Sequence, residues 1–154
     1  MIHPLAQVHP SARLAPDVEV GPFAIIEAGA TVGAGCRIAA HAIVKTGAEL
    51  GSGVRVDHFA VVGGEPQDLS FDPTLVSGVV IGDRTVIREH VTIHRATKAG
   101  ERTVIGADGL LMAGSHVAHD CVLGDHVILA NGCMLGGHVH VGDRAFVSGG
   151  VAVH

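Results

Sequence analysis

The chain has 154 residues and a formal net charge of −5, and 47% of its residues are hydrophobic although only 3% are aromatic. This length suits one domain, and the aliphatic content excludes a disordered chain. The acidic balance and the absence of Trp and Tyr argue against a nucleic-acid-binding protein, because such proteins rely on basic patches and aromatic stacking platforms.

The sequence also indicates a compartment. Cys36, Cys121 and Cys133 are too few and too scattered for a disulfide framework or a zinc knuckle. The amino-terminal residues lack the basic start and apolar stretch of a signal peptide, and the longest uncharged segment, 126–142, is too rich in His and Gly for a membrane span. We therefore expect a cytoplasmic protein.

The predicted elements follow a hexapeptide repeat. Every sixth residue is Val, Ile or Leu, in registers that cover 8–62, 81–93 and 105–153. A mostly small residue stands four positions after each of these aliphatic residues, and Gly often follows them directly, where we expect it to serve a corner with positive φ. The pattern predicts an all-β fold, a left-handed parallel β-helix. Three short strands would close each 18-residue coil of a triangular prism, with the three Cys in small inward positions.

The 22 aliphatic positions are Val8, Leu14, Val20, Ile26, Val32, Ile38, Val44, Leu50, Val56, Val62, Ile81, Ile87, Ile93, Ile105, Leu111, Val117, Leu123, Leu129, Leu135, Val141, Val147 and Val153. The register fails twice between them, and the intervening segments are polar and contain Pro or Gly. The sequence therefore predicts two excursion loops, near 63–79 and 94–104, in a single domain that covers 1–154. Loops on a rigid scaffold frequently carry function.

The chemistry candidates are histidines, of which the chain has 12. His116 and His119 flank the inward Val117 and should point outward. Gly137 lies 18 residues, or one coil, after His119, with His138 beside it, so the pattern places His119, Asp120, Gly137 and His138 in one outward cluster.

Two chemistries fit such a cluster. One is a metal hydratase, but the β-helical carbonic anhydrases that this architecture resembles use a His pair five residues apart, and no two of the 12 His here have that spacing. The other is general-base catalysis, in which a neutral imidazole takes a proton from a hydroxyl group that attacks a thioester. An adjacent carboxylate would orient the ring, and a backbone N–H without a side chain would hold the oxyanion.

Ordered sequence runs carry a family resemblance. They are Gln67-Asp68-Leu69, the run 87–95 (IREHVTIHR), Leu111-Met112 with the run 116–121 (HVAHDC), Leu129-Ala130-Asn131, Gly137-His138-Val139 and the run 149–154 (GGVAVH). In these runs the chain resembles the UDP-N-acetylglucosamine O-acyltransferase family, which opens lipid A biosynthesis. The related N-acyltransferase of the same pathway is similar in scaffold but lacks this combination.

The resemblance implies a reaction, a set of roles and partners. A 3-hydroxyacyl group would pass from acyl carrier protein to the 3-hydroxyl of UDP-N-acetylglucosamine, with His119 as general base, Asp120 polarising it and the Gly137 amide stabilising the intermediate. The family forms homotrimers with active sites between subunits, and neither a metal nor a cofactor is expected. Substrate contacts are implied for Gln67, Asp68, His94, His116, His138 and His154.

The sequence departs from the family at two points. Ser70 stands where the family usually has Lys, so a positive contact to substrate would have to come from Arg95 or from another subunit. The chain also stops at His154, whereas the family continues into further coils and a helical C-terminal domain, so we expect a C-terminally shortened member. A catalytically inactive β-helical fragment or assembly module is therefore the alternative.

Overall fold

The computed structural model describes all residues, 1–154, as a stack of short strands separated by turns. The 22 strands are β1 (Gln7–Val8), β2 (Arg13–Leu14), β3 (Glu19–Val20), β4 (Ile25–Ile26), β5 (Thr31–Val32), β6 (Arg37–Ile38), β7 (Ile43–Val44), β8 (Ala48–Leu50), β9 (Arg55–Val56), β10 (Val61–Gly64), β11 (Gly78–Ile81), β12 (Val86–Ile87), β13 (Thr92–His94), β14 (Arg102–Ile105), β15 (Leu110–Leu111), β16 (His116–Val117), β17 (Val122–Leu123), β18 (Ile128–Leu129), β19 (Met134–Leu135), β20 (His140–Val141), β21 (Phe146–Val147) and β22 (Ala152–Val153). The structure contains no helix that is long and apolar enough to cross a bilayer.

Successive strands belong to three different parallel sheets. Sheet I contains β1-β4-β7-β10-β13-β16-β19-β22, sheet II contains β2-β5-β8-β11-β14-β17-β20, and sheet III contains β3-β6-β9-β12-β15-β18-β21. Each strand pairs with the third strand after it, as Gln7 does with Ile25 and His116 with Met134. The predicted left-handed parallel β-helix with two excursion loops is confirmed.

The core is a column inside the prism. The aliphatic residue of each hexapeptide and the small residue four positions later both point inward, and 30 of these side chains form one buried cluster together with Val79. Ile93, Val117 and Leu135 are completely buried on successive coils of sheet I. Cys36, Cys121 and Cys133 are buried and free in small inward positions, where burial raises the pKa of each thiol.

The role expected of the glycines that follow the aliphatic residues is confirmed at Gly63 (φ 93°) and is wrong at the others. Positive φ occurs two residues later, at positions that include non-glycine residues such as Phe23 (φ 60°) and His138 (φ 62°). A glycine directly after the aliphatic residue is needed because the next coil passes so close: a Cβ on Gly33 would lie 2.6 Å from the carbonyl oxygen of Gly51. These glycines give room for coil stacking.

Both excursions leave the same edge of the prism. The first, 65–77, connects β10 of sheet I to β11 of sheet II, and the second, 95–101, connects β13 of sheet I to β14 of sheet II. They are also bonded to each other, because Ser77 Oγ donates to Ala96 O (2.6 Å) and Gly100 N donates to Val76 O (2.8 Å). We call the edge between sheets I and II the site edge.

Candidate active site

The site edge gathers the outward histidine cluster that the repeat predicts. His119 and Asp120 lie in the turn between β16 and β17, and Gly137 and His138 lie in the equivalent turn of the next coil, between β19 and β20. Adjacent coils are about 4.8 Å apart, as parallel strands are. The rings of His119 and His138 are 5.2 Å apart in an edge-to-face arrangement.

His119 and Asp120 form a hydrogen-bonded dyad. Nδ1 of His119 lies 2.8 Å from Oδ2 of Asp120, whose side chain is only 8% exposed. Burial by itself raises the pKa of Asp120, but hydrogen bonds from Thr97 and His119 outweigh it and hold the pKa below its usual value. The carboxylate is therefore ionised at neutral pH and can only accept hydrogen bonds.

The dyad fixes the tautomer of His119. Since Asp120 can only accept, Nδ1 of His119 carries the hydrogen, and the lone pair of the neutral ring is on Nε2. This is the orientation that a general base needs, with the carboxylate behind the ring and the basic nitrogen directed away from it.

Gly137 lies one coil beyond His119 and leaves space for its ring. A Cβ at Gly137 would overlap Cε1 of His119 and would lie 2.7 Å from Nε2 and 3.0 Å from Nδ1. The amide of Gly137 has no backbone or side-chain acceptor within the chain. A free donor therefore stands next to the basic nitrogen.

Equivalent amides elsewhere in the prism bind negatively charged oxygens. Gly137 is the second residue after an inward aliphatic residue, and four other residues in that position donate their amides to carboxylate oxygens at 2.7–3.0 Å: Thr46 to Glu27, Ser52 to Asp83, Ala107 to Asp125 and Asp125 to Asp143. The backbone at this position thus presents an outward N–H that suits an oxyanion.

A cleft of about 390 Å³ extends from this point along sheet I. One outward row of the sheet reads His94, Ala118, Gly136 and His154 on successive coils, so two small residues separate two imidazoles. The remaining lining residues are Gln67 from the first excursion, His116, His119, Met134, Leu135, Gly137, Ala152 and Val153. A volume of this size suits a small-molecule substrate. The larger groove, of about 690 Å³, lies on sheet III beside the first four residues.

His94 and His116 are neutral imidazoles. Burial lowers the pKa of His94 to about 4, and repulsion from the protonated forms of His116 and His119 acts in the same direction. Burial also lowers the pKa of His116, whose Nδ1 lies 2.7 Å from Thr92 Oγ1. The two rings meet edge-to-face at 4.6 Å, and the buried Nδ1 of His94 has no hydrogen-bond partner.

Both the sequence and the fold match those of other proteins. The chain matches the bacterial transferase hexapeptide family (six repeats) over residues 11–46 and 102–137. It is 45% identical over 134 residues to the acyl-[acyl-carrier-protein]–UDP-N-acetylglucosamine O-acyltransferase of Saccharophagus degradans, which covers 84% of this chain and 50% of that protein.

Two solved structures superimpose on essentially the whole of this chain. LpxA from Acinetobacter baumannii superimposes with a TM-score of 0.96 at 40% identity, over 99% of this chain and 59% of that one. LpxA of Bacteroides fragilis, a UDP-N-acetylglucosamine acyltransferase, superimposes with a TM-score of 0.91 at 35% identity, over 100% of this chain and 67% of that one. The chain belongs to the UDP-N-acetylglucosamine acyltransferase family. It spans about half the length of the curated relatives that it matches.

Two family positions lie outside the cleft of this acyltransferase family member. Asp68 is exposed in the first excursion, where its Oδ1 accepts hydrogen bonds from the amide (2.8 Å) and the hydroxyl (2.7 Å) of Ser70. His138 has a side chain that is 65% exposed, and its Nε2 lies 3.6 Å from Oδ2 of Asp120. Ser70 thus orients Asp68.

Arg95 packs against the first excursion. Its guanidinium donates to Leu75 O (2.7 Å) and Pro73 O (3.1 Å) and lies 5.0 Å from the centre of the Phe71 ring, and the side chain is only 11% exposed. These contacts direct the guanidinium towards the first excursion, so Arg95 holds the segment that carries Gln67. A substrate contact from Arg95 stays a prediction.

One group of side chains could hold a metal ion. His119, Asp120 and His138 each offer a ligand atom, and these atoms lie within 4.8 Å of one another. Oδ2 of Asp120 already accepts hydrogen bonds from Thr97 and His119, so an ion bound there would have to displace them.

Sequence reasoning missed the two threonines that orient the site. Thr92 contacts His116 because it precedes it in the same outward row of sheet I, and this could have been found by counting coils across the second excursion. Thr97 contacts Asp120 from inside that excursion, where no repeat indicates which residue faces the prism.

Proposed function

We propose that this chain is the β-helical catalytic part of an enzyme that transfers a 3-hydroxyacyl group from acyl carrier protein to the 3-hydroxyl of UDP-N-acetylglucosamine, in lipid A biosynthesis. One observation carries the proposal: the His119–Asp120 dyad directs its basic nitrogen into a cleft beside the unpartnered amide of Gly137. The curated relatives bear the name of this activity.

In this mechanism His119 moves one proton. Nε2 takes it from the sugar 3-hydroxyl while the hydroxyl oxygen bonds to the thioester carbonyl carbon, and Asp120 stabilises the imidazolium that forms. The carbonyl oxygen becomes an oxyanion that accepts from Gly137 N–H. When the C=O bond re-forms, the C–S bond breaks, and His119 returns the proton to the carrier thiolate. The products are the 3-O-acylated nucleotide sugar and the free carrier thiol.

The walls of the cleft divide into polar and apolar parts. His94, His116, His154 and Gln67 supply hydrogen-bonding groups for the nucleotide sugar, with His138 and Asp68 on the outer side of the site edge. Met134, Leu135, Ala152 and Val153 supply an apolar wall against which the acyl chain would lie. Neutral imidazoles suit this task because each can both donate and accept a hydrogen bond.

The assembly that we propose is a homotrimer with sites between subunits, in the cytoplasm. Its support is the outward apolar surface of the later coils, where Val86, Leu110, Ile128 and Phe146 follow one another along sheet III. Phe146 is 62% exposed, and such a stripe is typical of an interface. The three free thiols fit a reducing compartment.

A transfer assay tests the function. The purified chain is incubated with UDP-N-acetylglucosamine and carrier protein loaded with 3-hydroxyacyl groups of several lengths, and mass spectrometry detects the acylated nucleotide sugar. We expect product from the parent chain, and at least about 100-fold less from His119→Gln. Nucleotide-sugar binding without product from any donor would favour the non-catalytic assembly module instead.

A further inference from the structure

Thr97 makes the closest contacts to Asp120 of any residue outside the dyad. Its hydroxyl donates to Oδ2 at 2.6 Å, and its amide donates to Oδ1 at 3.0 Å and approaches Oδ2 at 3.3 Å. Both carboxylate oxygens are therefore engaged by one residue. Thr97 belongs to the second excursion and does not line the cleft.

Two imidazoles compete for the oxygen that Thr97 holds. Nδ1 of His119 lies 2.8 Å from Oδ2 of Asp120, and Nε2 of His138 lies 3.6 Å from the same atom. A rotation of the carboxylate that moved Oδ2 towards His138 would lengthen its contact with His119. The hydrogen bonds from Thr97 oppose this rotation, because they fix the positions of both oxygens.

Thr97 is itself held from two sides. The preceding residue, Ala96, is buried and its carbonyl accepts from Ser77 Oγ, while Gly100 donates its amide to Val76 O in the first excursion. Within the turn, the amide of Asp120 donates to Thr103 Oγ1 at 2.9 Å, so the backbone of Asp120 is fixed as well. The two hydrogen bonds from Thr97 to the carboxylate of Asp120 therefore join segments that are themselves anchored.

We propose that Thr97 is a positioning residue for acyl transfer, which selects His119 over His138 as the partner of Asp120 and thereby sets the tautomer of the general base. The inference rests on the proposed function for its effect on rate. Its effect on the ring does not depend on any reaction. When the Thr97 hydroxyl is absent, Nδ1 of His119 loses its fixed acceptor, and the tautomer with hydrogen on Nε2, which cannot accept a proton there, becomes populated.

The test is the variant Thr97→Val, which keeps the shape and removes the hydroxyl, with Thr97→Ser as the variant that restores it. Thr97 is half-buried at the base of an exposed loop, so the fold should survive, and thermal unfolding verifies this. Thr46→Val is the matched control, because it removes an exposed threonine–carboxylate hydrogen bond (3.3 Å to Glu27) that involves no imidazole.

Two readouts separate the positioning role from the proposed function. Long-range proton–nitrogen NMR of histidine-labelled chain, with His119 assigned through His119→Gln, reports the tautomer without substrate. We expect Thr97→Val to populate the Nε2–H form of His119. We also expect it to lower kcat about 10-fold and to change KM for the nucleotide sugar by no more than about twofold. Thr97→Ser and Thr46→Val should match the parent chain in all three quantities. An unchanged tautomer in Thr97→Val overturns the inference whatever the rate does. A shifted tautomer in a chain that lacks transfer activity supports the positioning role and counts against the proposed function alone.

Discussion

The ring of His119 occupies the space that a side chain at Gly137 would need, one coil further along the site edge. The conflict is with the ring itself, since a Cβ at Gly137 would lie 2.7 Å from its Nε2. A glycine at this position therefore serves two purposes: it leaves room for the general base, and it exposes an amide that no other group in the chain uses.

Gly137→Ala should displace His119 without removing the amide. We expect the rate of acyl transfer to fall about 100-fold, because a misplacement of a catalytic group by about 1 Å can reduce the rate by this factor. Steady-state kinetics measure the effect, and thermal unfolding verifies the fold. Gly142→Ala is the matched control, since a Cβ there meets nothing within 4 Å and its φ is not positive. Equal rates for Gly137→Ala and the parent chain would contradict the role of His119.

Asp120→Asn should leave the fold intact and disable the base. Asp120 has φ of 60°, a left-handed conformation that asparagine tolerates, so the turn should form. An amide can donate to Nδ1 of His119 and thereby favour the tautomer with hydrogen on Nε2. We expect kcat to fall about 10²- to 10⁴-fold, with little change in KM.

The comparison for Asp120→Asn is Asp143→Asn. Asp143 accepts the amide of Asp125 at 2.8 Å on a different edge of the prism, between sheets II and III. This substitution should leave the kinetics unchanged. If Asp120→Asn kept most of the parent rate, the carboxylate would not be setting the tautomer of the ring.

The repeat made the fold and much of the site predictable. An 18-residue coil places His119 beneath Gly137 and Asp120 beneath His138 by counting alone, because parallel coils stack without slipping. The excursions interrupt this counting. Thr97 and Arg95 both lie in the second excursion, which has no repeat. Nothing in the sequence therefore shows that Thr97 holds Asp120 or that Arg95 holds the excursion with Gln67.

Side-chain direction was the second thing that the pattern could not supply. His119 and His138 both stand in outward turns, yet His119 is 17% exposed and faces the cleft while His138 is 65% exposed. The difference follows from position within the turn. His138 is the residue with positive φ in its turn, whereas His119 directly precedes the residue with positive φ in its own turn, Asp120. Except at Gly63, the expected role of the glycines failed because the left-handed residue lies two positions further along.

Arg95→Lys should loosen the first excursion and weaken substrate binding. A lysine cannot donate to both Leu75 O and Pro73 O while stacking on Phe71, as the guanidinium does. We expect KM for the nucleotide sugar to rise about 5- to 10-fold, and kcat to change less than about threefold, because Gln67 lies on this excursion and the dyad does not. Isothermal titration calorimetry and kinetics provide the measurement.

The matched control for Arg95→Lys is Arg37→Lys. Arg37 is exposed on sheet III and pairs with Glu19 at 3.3 Å, so the substitution changes the same groups far from the excursions. A KM in Arg95→Lys equal to that of Arg37→Lys would show that the excursion keeps its conformation without the guanidinium.

His94 should make the stability of the chain depend on pH between about 4 and 6.5. Its pKa falls from 6.5 to about 4 on folding, chiefly because burial disfavours the charged ring. Within this window the unfolded chain binds a proton that the folded chain does not, so the free energy of unfolding is highest above pH 6.5 and decreases as the pH falls. The loss is on the order of 3 kcal/mol at pH 4.

The lowered pKa of His116 acts in the same direction. The pKa of Asp120 is below its usual value of 3.8, so the stability that this carboxylate contributes is lost only at still lower pH.

Denaturant unfolding of His94→Gln at pH 7, 6, 5 and 4 measures this contribution. The variant should be less stable than the parent at pH 7, because it loses packing against His116, and its stability should decline less steeply towards pH 4 because it has no ring to protonate. His140→Gln removes a histidine that is exposed on sheet II and should follow the parent profile. If His94→Gln and the parent showed the same decline, the buried ring would already be protonated in the folded chain, and a different group would account for the pH dependence.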